Sequence, residues 1–561
     1  MNTRVKKLSL LLTLPVVLLS VLVFSVHSLR ASTTSCEVNP SNPPGIGYPT
    51  IQKALDDSQC IDIAIGPGVY KERLVITRTV HLRGAGYTST ILDGDSAGRV
   101  VDVISASVAI SGITIQNGFV TDCNGENPDA GAGIRNTGIL TLTNVWVQNN
   151  WVESCYTVLI GGAIFNSGRM LMMESAVLSN VAPSGGGIGN FGILSIVNSS
   201  ISKNRAVTSF TGATGAGGLY NAVGATASIS ATRVVSNEAY GSSGGIYSSG
   251  AMTITASEIA ENRSAGAGGG VVARGRLTLS TSRVVNNSAS TMGGGVLLQS
   301  LDVQDDFFEI QANEILSNTG GGLYASTSGG DGVVVRIASN VLRGNQGSAV
   351  ELDFMVGALS DVRFERNLVT GNLGDPAPTV RISGRRIDLF NNIVAYNQSS
   401  GVSVSRLEGV NRIMNNTIWR NQGSGVSFVG PLTGDLFIQN NIIGANRLIG
   451  VDAPSDGEKV ADAMYNNNVW GNSLFDYSGL DNQTGLRGNL SVDPLMLAPD
   501  AGNWRLSACS PMIDAGRSEE APIVDFFGNP RPFGAQWDIG AVEFQGEGAC
   551  LKTWLSVIQT P

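Results

Sequence analysis

Gly244 to Asn262 reads G-G-I-Y-S-S-G-A-M-T-I-T-A-S-E-I-A-E-N. Gly269 to Asn287, 25 residues on, reads G-G-V-V-A-R-G-R-L-T-L-S-T-S-R-V-V-N-N. Both segments open on a glycine run and an aliphatic residue, alternate aliphatic with hydroxyl side chains, and close on asparagine. The alternation in Met252-Thr253-Ile254 and Leu277-Thr278-Leu279 is the period-2 signature of a half-buried strand. A unit this short buries its apolar face only against its neighbours, so the repeat predicts a solenoid.

Working outward, thirteen segments close on such an asparagine: Asn150, Asn180, Asn204, Asn237, Asn262, Asn287, Asn318, Asn345, Asn372, Asn397, Asn421, Asn446 and Asn472, at steps of 24 to 33 residues. Two or three short strands plus turns fit this period, which is one coil of a parallel β-helix. Coils about 4.8 Å apart then make a rod on the order of 65–75 Å long. Asn tolerates the left-handed conformation of a sharp bend, and in register its amide donates to one coil and accepts from the other. The expectation is a structural Asn ladder. Glycine runs such as Gly187-Ile188, Gly218-Leu219 and Gly295-Val296 suit corners where φ is positive or the next coil passes close.

Charged residues make up only 14% of the 561, and the formal charge is −9. No basic cluster appears beyond Lys6-Lys7, which argues against nucleic acid or an anionic membrane surface as partner. Arg4, Lys6 and Lys7, the apolar run from Leu8 to Val26 and the small pair Ala31-Ser32 read as a secretory signal over 1–31. The run is also long enough to span a bilayer, so an uncleaved anchor stays open. Six cysteines behind such a signal predict disulfides, and proximity favours Cys36–Cys60, Cys123–Cys155 and Cys509–Cys550. No C-x-x-C spacing occurs, which argues against zinc.

The opening region, 32–100, reads as an N-terminal cap with the first coils. Ile51-Gln52-Lys53-Ala54-Leu55 forms a helical turn, followed by Gly68-Val69-Tyr70-Lys71-Glu72, Leu74-Val75-Ile76 and Val80-x-Leu82-x-Gly84-x-Gly86. This run resembles the start of pectin-lyase-like right-handed β-helices, and its G-x-Y-x-E is similar to the opening coils of pectin methylesterases. The implied fold class is all-β, a single-stranded right-handed parallel β-helix with N- and C-terminal caps and repeats over 101–488. Residues 489–550 carry Asp493-Pro494-Leu495, Trp504-Arg505-Leu506, Cys509-Ser510-Pro511-Met512-Ile513-Asp514-Ala515-Gly516, Gly528-Asn529-Pro530-Arg531-Pro532 and Asp538-Ile539-Gly540-Ala541-Val542-Glu543-Phe544. This resembles the choice-of-anchor Q module of bacterial surface β-helix proteins, which implies export and surface display but no reaction. A tail, 551–561, follows. The G-G-A-I coil at 161–164 is also similar to polymorphic outer-membrane protein repeats, implying a passenger-like adhesin role.

For chemistry, strand alternation leaves Glu351, Asp353 and Arg381 outward on one sheet and Asp361, Arg363 and Glu365 outward on its neighbour. Carboxylates beside an arginine suit Ca²⁺ held against a uronate and a base for β-elimination; the alternative is a solvated charge ladder. Asp302, Asp305 and Asp306 form an acidic loop that is the other candidate for Ca²⁺. No cofactor is otherwise implied. Signatures of known β-helix enzymes are missing: there is no G-H-G, no D-H pair and no R-x-P-x-x-R. Asp525-Phe526-Phe527-Gly528 approaches a methylesterase motif only superficially. The sequence therefore favours an extracellular or cell-surface rod that is structural, adhesive or glycan-binding, with polysaccharide or a cell-surface component as partner. A lyase or hydrolase of acidic polysaccharide is the alternative.

Overall fold

The structure is a computed structural model that describes residues 35–39, 47–123, 130–154, 160–207, 215–300, 307–327, 332–354, 360–374, 377–546, 548 and 550. The expected signal segment, Cys155, and the acidic loop of Asp302, Asp305 and Asp306 lie outside these residues.

Three long parallel sheets run along the rod. Sheet I has 17 strands and sheets II and III have 16 each; a seven-stranded sheet IV lies between II and III over part of the length. One coil passes from Ile139–Thr143 (I) to Trp146–Gln148 (II), Trp151–Glu153 (IV) and Ile164–Asn166 (III), and Arg169–Met173 re-enters sheet I. Each strand pairs in register with the strand one coil later, as in Ile139↔Arg169 and Trp146↔Ala176. The chain is a right-handed parallel β-helix. It has about 15 turns and only 3% helix, as its period predicts, and parallel crossovers take that hand almost without exception. Seventeen strands span about 75 Å.

Alternation puts the middle residue of each sheet II strand inward. Val177, Ile201, Val234, Ile259, Val284, Ile315, Leu342 and Val369 stack coil upon coil with no exposure. Burial of each is worth roughly 1.5–3 kcal/mol.

The corners are held by polar ladders at three places, where the sequence suggested one. At the exit of sheet II, each Asn from Asn150 to Asn446 donates Nδ2 to the Oδ1 of the next ladder Asn at 2.9–3.1 Å, ending on Asn472. Between I and II, backbone N–H groups donate to Ser175, Ser199, Thr232, Ser257 and Ser282. From Asn313 onward Asn340, Asn367, Asn392, Asn416, Asn441, Asn467 and Asn489 take over. Between III and I, Asn136, Asn166, Asn190 and Asn221 form a third column. The reason given above for asparagine needs one correction. The left-handed residue is the one before each ladder Asn, such as Asn149, Ser179 or Lys203. The ladder Asn itself is there to hydrogen-bond. Glycine runs serve the loops entering sheet III, where Gly293 has φ +65 and a Cβ would meet Leu297 Cβ at 2.7 Å.

At the N-terminal end, Ile51–Asp56 forms a helix capped by Thr50, with Ile51, Ala54 and Leu55 buried. Arg78 donates to the carbonyls of Ala54, Leu55, Asp57 and Cys60, satisfying acceptors that a helix end leaves open. Cys36 is bonded to Cys60 and Cys509 to Cys550. Cys123 is also in a disulfide. A seven-residue helix, Gly457–Ala463, was not anticipated; it sits in an insertion before the last sheet I strand.

The C-terminal module lies mainly along the side of the rod. Asn489 ends one ladder and Leu490 bridges to Asn468, closing the end. The chain then folds back as a strap over the outer face of sheet II. Trp504, Leu506, Met512, Ile539, Ala541 and Val542 pack there on Ile393, Ala395, Trp419 and Ile442. Four successive coils grip its backbone: Asn391, Asn415, Asn440 and Asn466 donate to the carbonyls of Val524, Asp538, Arg517 and Ala515 at 2.8–3.0 Å. Inside the strap Arg531 meets Glu543 at 2.5 Å with both side chains fully buried. Asp525 accepts the N–H groups of Phe527, Asn529 and Glu543. Of the module's acidic motif residues, Asp525, Asp538 and Glu543 are buried, whereas Asp493 and Asp514 are exposed.

Burial pushes the Asp538 carboxyl up to about 6, against the Phe544 N–H that favours its ionised form. A raised carboxyl stabilises the docked strap below the ordinary carboxylate value of about 4. That contribution is lost as pH rises through about 6. Protection factors over 504–544, corrected for the intrinsic pH dependence of exchange, are expected to be higher at acid than at neutral pH, and Asp538→Asn should flatten the difference. Equal protection of the wild type at both pH values contradicts this.

Candidate functional site

Outward residues on sheet I form columns because the strands are in register. Over most of the rod the central column is hydroxylated, with one aliphatic exception at Leu171: Thr141, Leu171, Ser195, Ser228, Thr253 and Thr278. From there it turns charged, in the order Glu309, Arg336, Arg363, Asp388, Arg412. Arg336 and Arg363 are direct cross-coil partners. Like charges placed opposite one another destabilise a sheet.

Elsewhere the rod avoids such pairing. On sheet II the outward column Arg233, Glu258, Arg283, Glu314 alternates in sign, with ion pairs of 2.8, 3.7 and 2.9 Å. The Arg336–Arg363 step breaks that rule where a concavity opens. A cleft of about 340 Å³ is lined by Arg336, Asp361, Arg363, Arg386, Asp388, Phe390, Arg412 and Glu520. Four guanidinium groups face three carboxylates there, a formal charge of +1 in a chain of −9.

Arg336 donates to the Asp361 carboxylate at 2.6 Å and to its carbonyl at 3.0 Å. Arg412 reaches Asp388 at 3.3 Å. Arg363 lies over the Phe390 ring, 5.5 Å from its centre, and its nearest carboxylate, Glu365, is 3.9 Å away. That leaves its charge only weakly compensated. Burial opposes ionisation of Asp361, but the Arg336 hydrogen bond and the charges of Arg336, Arg386 and Arg363 outweigh it and hold the group low. Burial wins at Asp388, which stays above the usual carboxylate range despite Arg412. Two neighbouring carboxyls are thus pushed apart, a pattern that acid/base pairs share.

The residues singled out from sequence divide between two faces. Asp361 and Arg363 lie in the cleft on sheet I. Glu351, Asp353 and Arg381 lie on sheet III, where Arg381 pairs with Glu351 at 3.4 Å and Arg406 with Asp353 at 3.6 Å. Burial pushes Glu351 up, against Arg381. Each sheet III carboxylate has its own guanidinium, which is the arrangement of a charge ladder. Among the described residues no group of three or more His, Cys, Asp or Glu is placed to hold a metal. Arg336, Arg386, Asp388, Arg412 and Glu520 were missed. The first four stand one or two coils from residues that were found.

No family model matches the chain, and no curated protein does. Solved β-helix structures are similar at a low level. The Azotobacter vinelandii mannuronan C-5 epimerase AlgE6 A-module is 13% identical over 79% of this chain and 94% of its own, with a TM-score of 0.26. Pectate lyase Pel9A is 12% identical over 91% and 98%, at 0.25. The Dettilon tailspike protein is 12% identical over 74% and 70%, at 0.34. Likeness this low carries no functional inference, so function rests on the residues of this chain.

Proposed function

We propose that this protein is an exported, surface-associated rod that binds acidic polysaccharide, with the arginine cleft of sheet I as the contact for carboxylate or sulfate groups. The observation that carries this is the in-register pair Arg336 and Arg363. Such a pair costs stability unless an anion bridges it, and local departures from a rule kept elsewhere mark functional positions. Arginine suits the task because its planar fork matches carboxylate and sulfate geometry. A flat sheet with 4.8 Å steps suits an extended polymer. Disulfides support export, and the resemblance of the strap to the choice-of-anchor Q module supports surface display.

The split between Asp361 and Asp388 favours depolymerisation as a second reading. Against it, each carboxylate is tied to an arginine, at 2.6 and 3.3 Å, so neither stands free to reach a glycosidic oxygen. Binding is the better-supported function. A panel of purified polysaccharides, assayed for retention and for new reducing or unsaturated ends, tests both readings. Retention of acidic polymers without cleavage is expected; retention of none overturns the proposal, and cleavage replaces it with the second reading.

A further inference from the structure

One of the three carboxylates in the cleft is not supplied by the rod. Arg412 donates Nε at 3.0 Å and Nη2 at 2.8 Å to one carboxylate oxygen of Glu520, which comes from the strap 108 residues on. Its remaining arm, Nη1, goes to Asp388. Glu520 and Arg412 therefore join the strap to the floor of the cleft.

A second, independent observation concerns backbone conformation. The Ala521 N–H donates to the Ser518 carbonyl at 3.2 Å, closing a turn whose third residue is Glu520, at φ +59. A positive φ at that place favours glycine or asparagine, and a longer side chain there is strained. The rod's own corners also carry non-glycine left-handed residues, Glu174 and Glu261 among them; in the strap turn the residue is a glutamate whose carboxylate lands on the cleft arginine.

We infer that Glu520 is a built-in counter-anion of the binding site: it occupies the Arg412 end of the cleft and is displaced by a carboxylate or sulfate of the incoming acidic glycan. The inference rests on the binding proposal above. Its consequence is a threshold. A lone anion gains little by exchanging with Glu520, whereas a polymer that also engages Arg336 and Arg363 displaces it and takes all three arginines. The same contact keeps Arg412 paired while the cleft is empty, so no uncompensated charge is left against the strap.

The test is calorimetric titration of the full chain with polygalacturonate and, separately, dextran sulfate. The proteins compared are wild type, Glu520→Gln, Glu520→Gly, Glu519→Gln and Arg363→Ala. Removing an intramolecular competitor held by a half-exposed ion pair should tighten binding by about two- to fivefold in both Glu520 variants. The glycine variant also relieves the backbone, so it stays folded even if glutamine disturbs the turn. Glu519 pairs with Arg517 within the strap, and its variant should bind as the wild type does. Unchanged or weaker binding by both Glu520 variants overturns the inference, and so does equal tightening by Glu519→Gln, which makes the gain a net-charge effect. Wild-type binding that is lost in Arg363→Ala but indifferent to Glu520 sinks this inference alone. Failure of the wild type to bind either polymer removes the binding proposal and this inference together. The two polymers separate carboxylate from sulfate recognition.

Discussion

Asn345→Ala is expected to destabilise the middle of the rod by roughly 3–6 kcal/mol. In the wild type Asn345 Oδ1 accepts from both the backbone N–H and Nδ2 of Asn318, while its Nδ2 donates to Asn372 Oδ1 and the Ile315 carbonyl. Alanine leaves the buried Asn318 N–H without its acceptor and strips one of two partners from Asn318 Nδ2 and from Asn372 Oδ1, and a buried unsatisfied group costs about 1–3 kcal/mol. Since each coil contacts only its neighbours, the damage should stay local. Hydrogen exchange should rise sharply between residues 315 and 372 and remain low near the N-terminal cap. A variant with wild-type protection in that zone contradicts the ladder account.

The second large effect concerns the strap. Arg531→Met leaves Glu543 buried and unpaired, and losing one partner of a buried ion pair costs roughly 3–5 kcal/mol. Arg531 also ties the strap to the rod by donating to Asn391 Oδ1, and closes the strap on itself through the Gly540 carbonyl. The variant should lose its strap to limited proteolysis while the β-helix stays intact. Arg531→Met combined with Glu543→Gln should recover part of the loss, because residue 543 then carries no buried charge. A strap in Arg531→Met as resistant as in wild type would sink this account.

The sequence shows the coil because Asn and Gly-aliphatic markers recur with a strand-like alternation between them. It shows one ladder of three for a chemical reason. The I–II corner uses Ser and Thr up to Ser282 and asparagine only from Asn313, so no single residue type marks it along the whole rod. In the C-terminal coils that corner reads Asn391-Asn392, Asn415-Asn416, Asn440-Asn441 and Asn466-Asn467. The second of each pair joins the ladder and the first grips the strap, so the doublets were a legible signal. So were the strands Ile393-Val394-Ala395 and Ile442-Ile443-Gly444, apolar on both faces because the strap covers the outer one.

The cleft was half legible. Asp361 and Arg363 follow from alternation within one strand. Arg336, Asp388 and Arg412 stand 27, 25 and 24 residues from their column neighbours. Coil lengths that vary by a few residues prevent such a register from being carried forward without coordinates. Glu520 enters through the docking of a distant segment, which no local pattern reveals.

Titration of acidic oligosaccharide into wild type and the double variant Arg336→Ala/Arg363→Ala, with thermal unfolding of both, tests the central claim most directly. Two charge-assisted contacts of about 1.5 kcal/mol or more each predict a loss of at least about a hundredfold in affinity. Stability should change little, since relief of the like-charge pair offsets loss of the half-exposed Arg336–Asp361 pair. Undiminished affinity in the double variant, or a loss of affinity matched by a loss of folding, would contradict it.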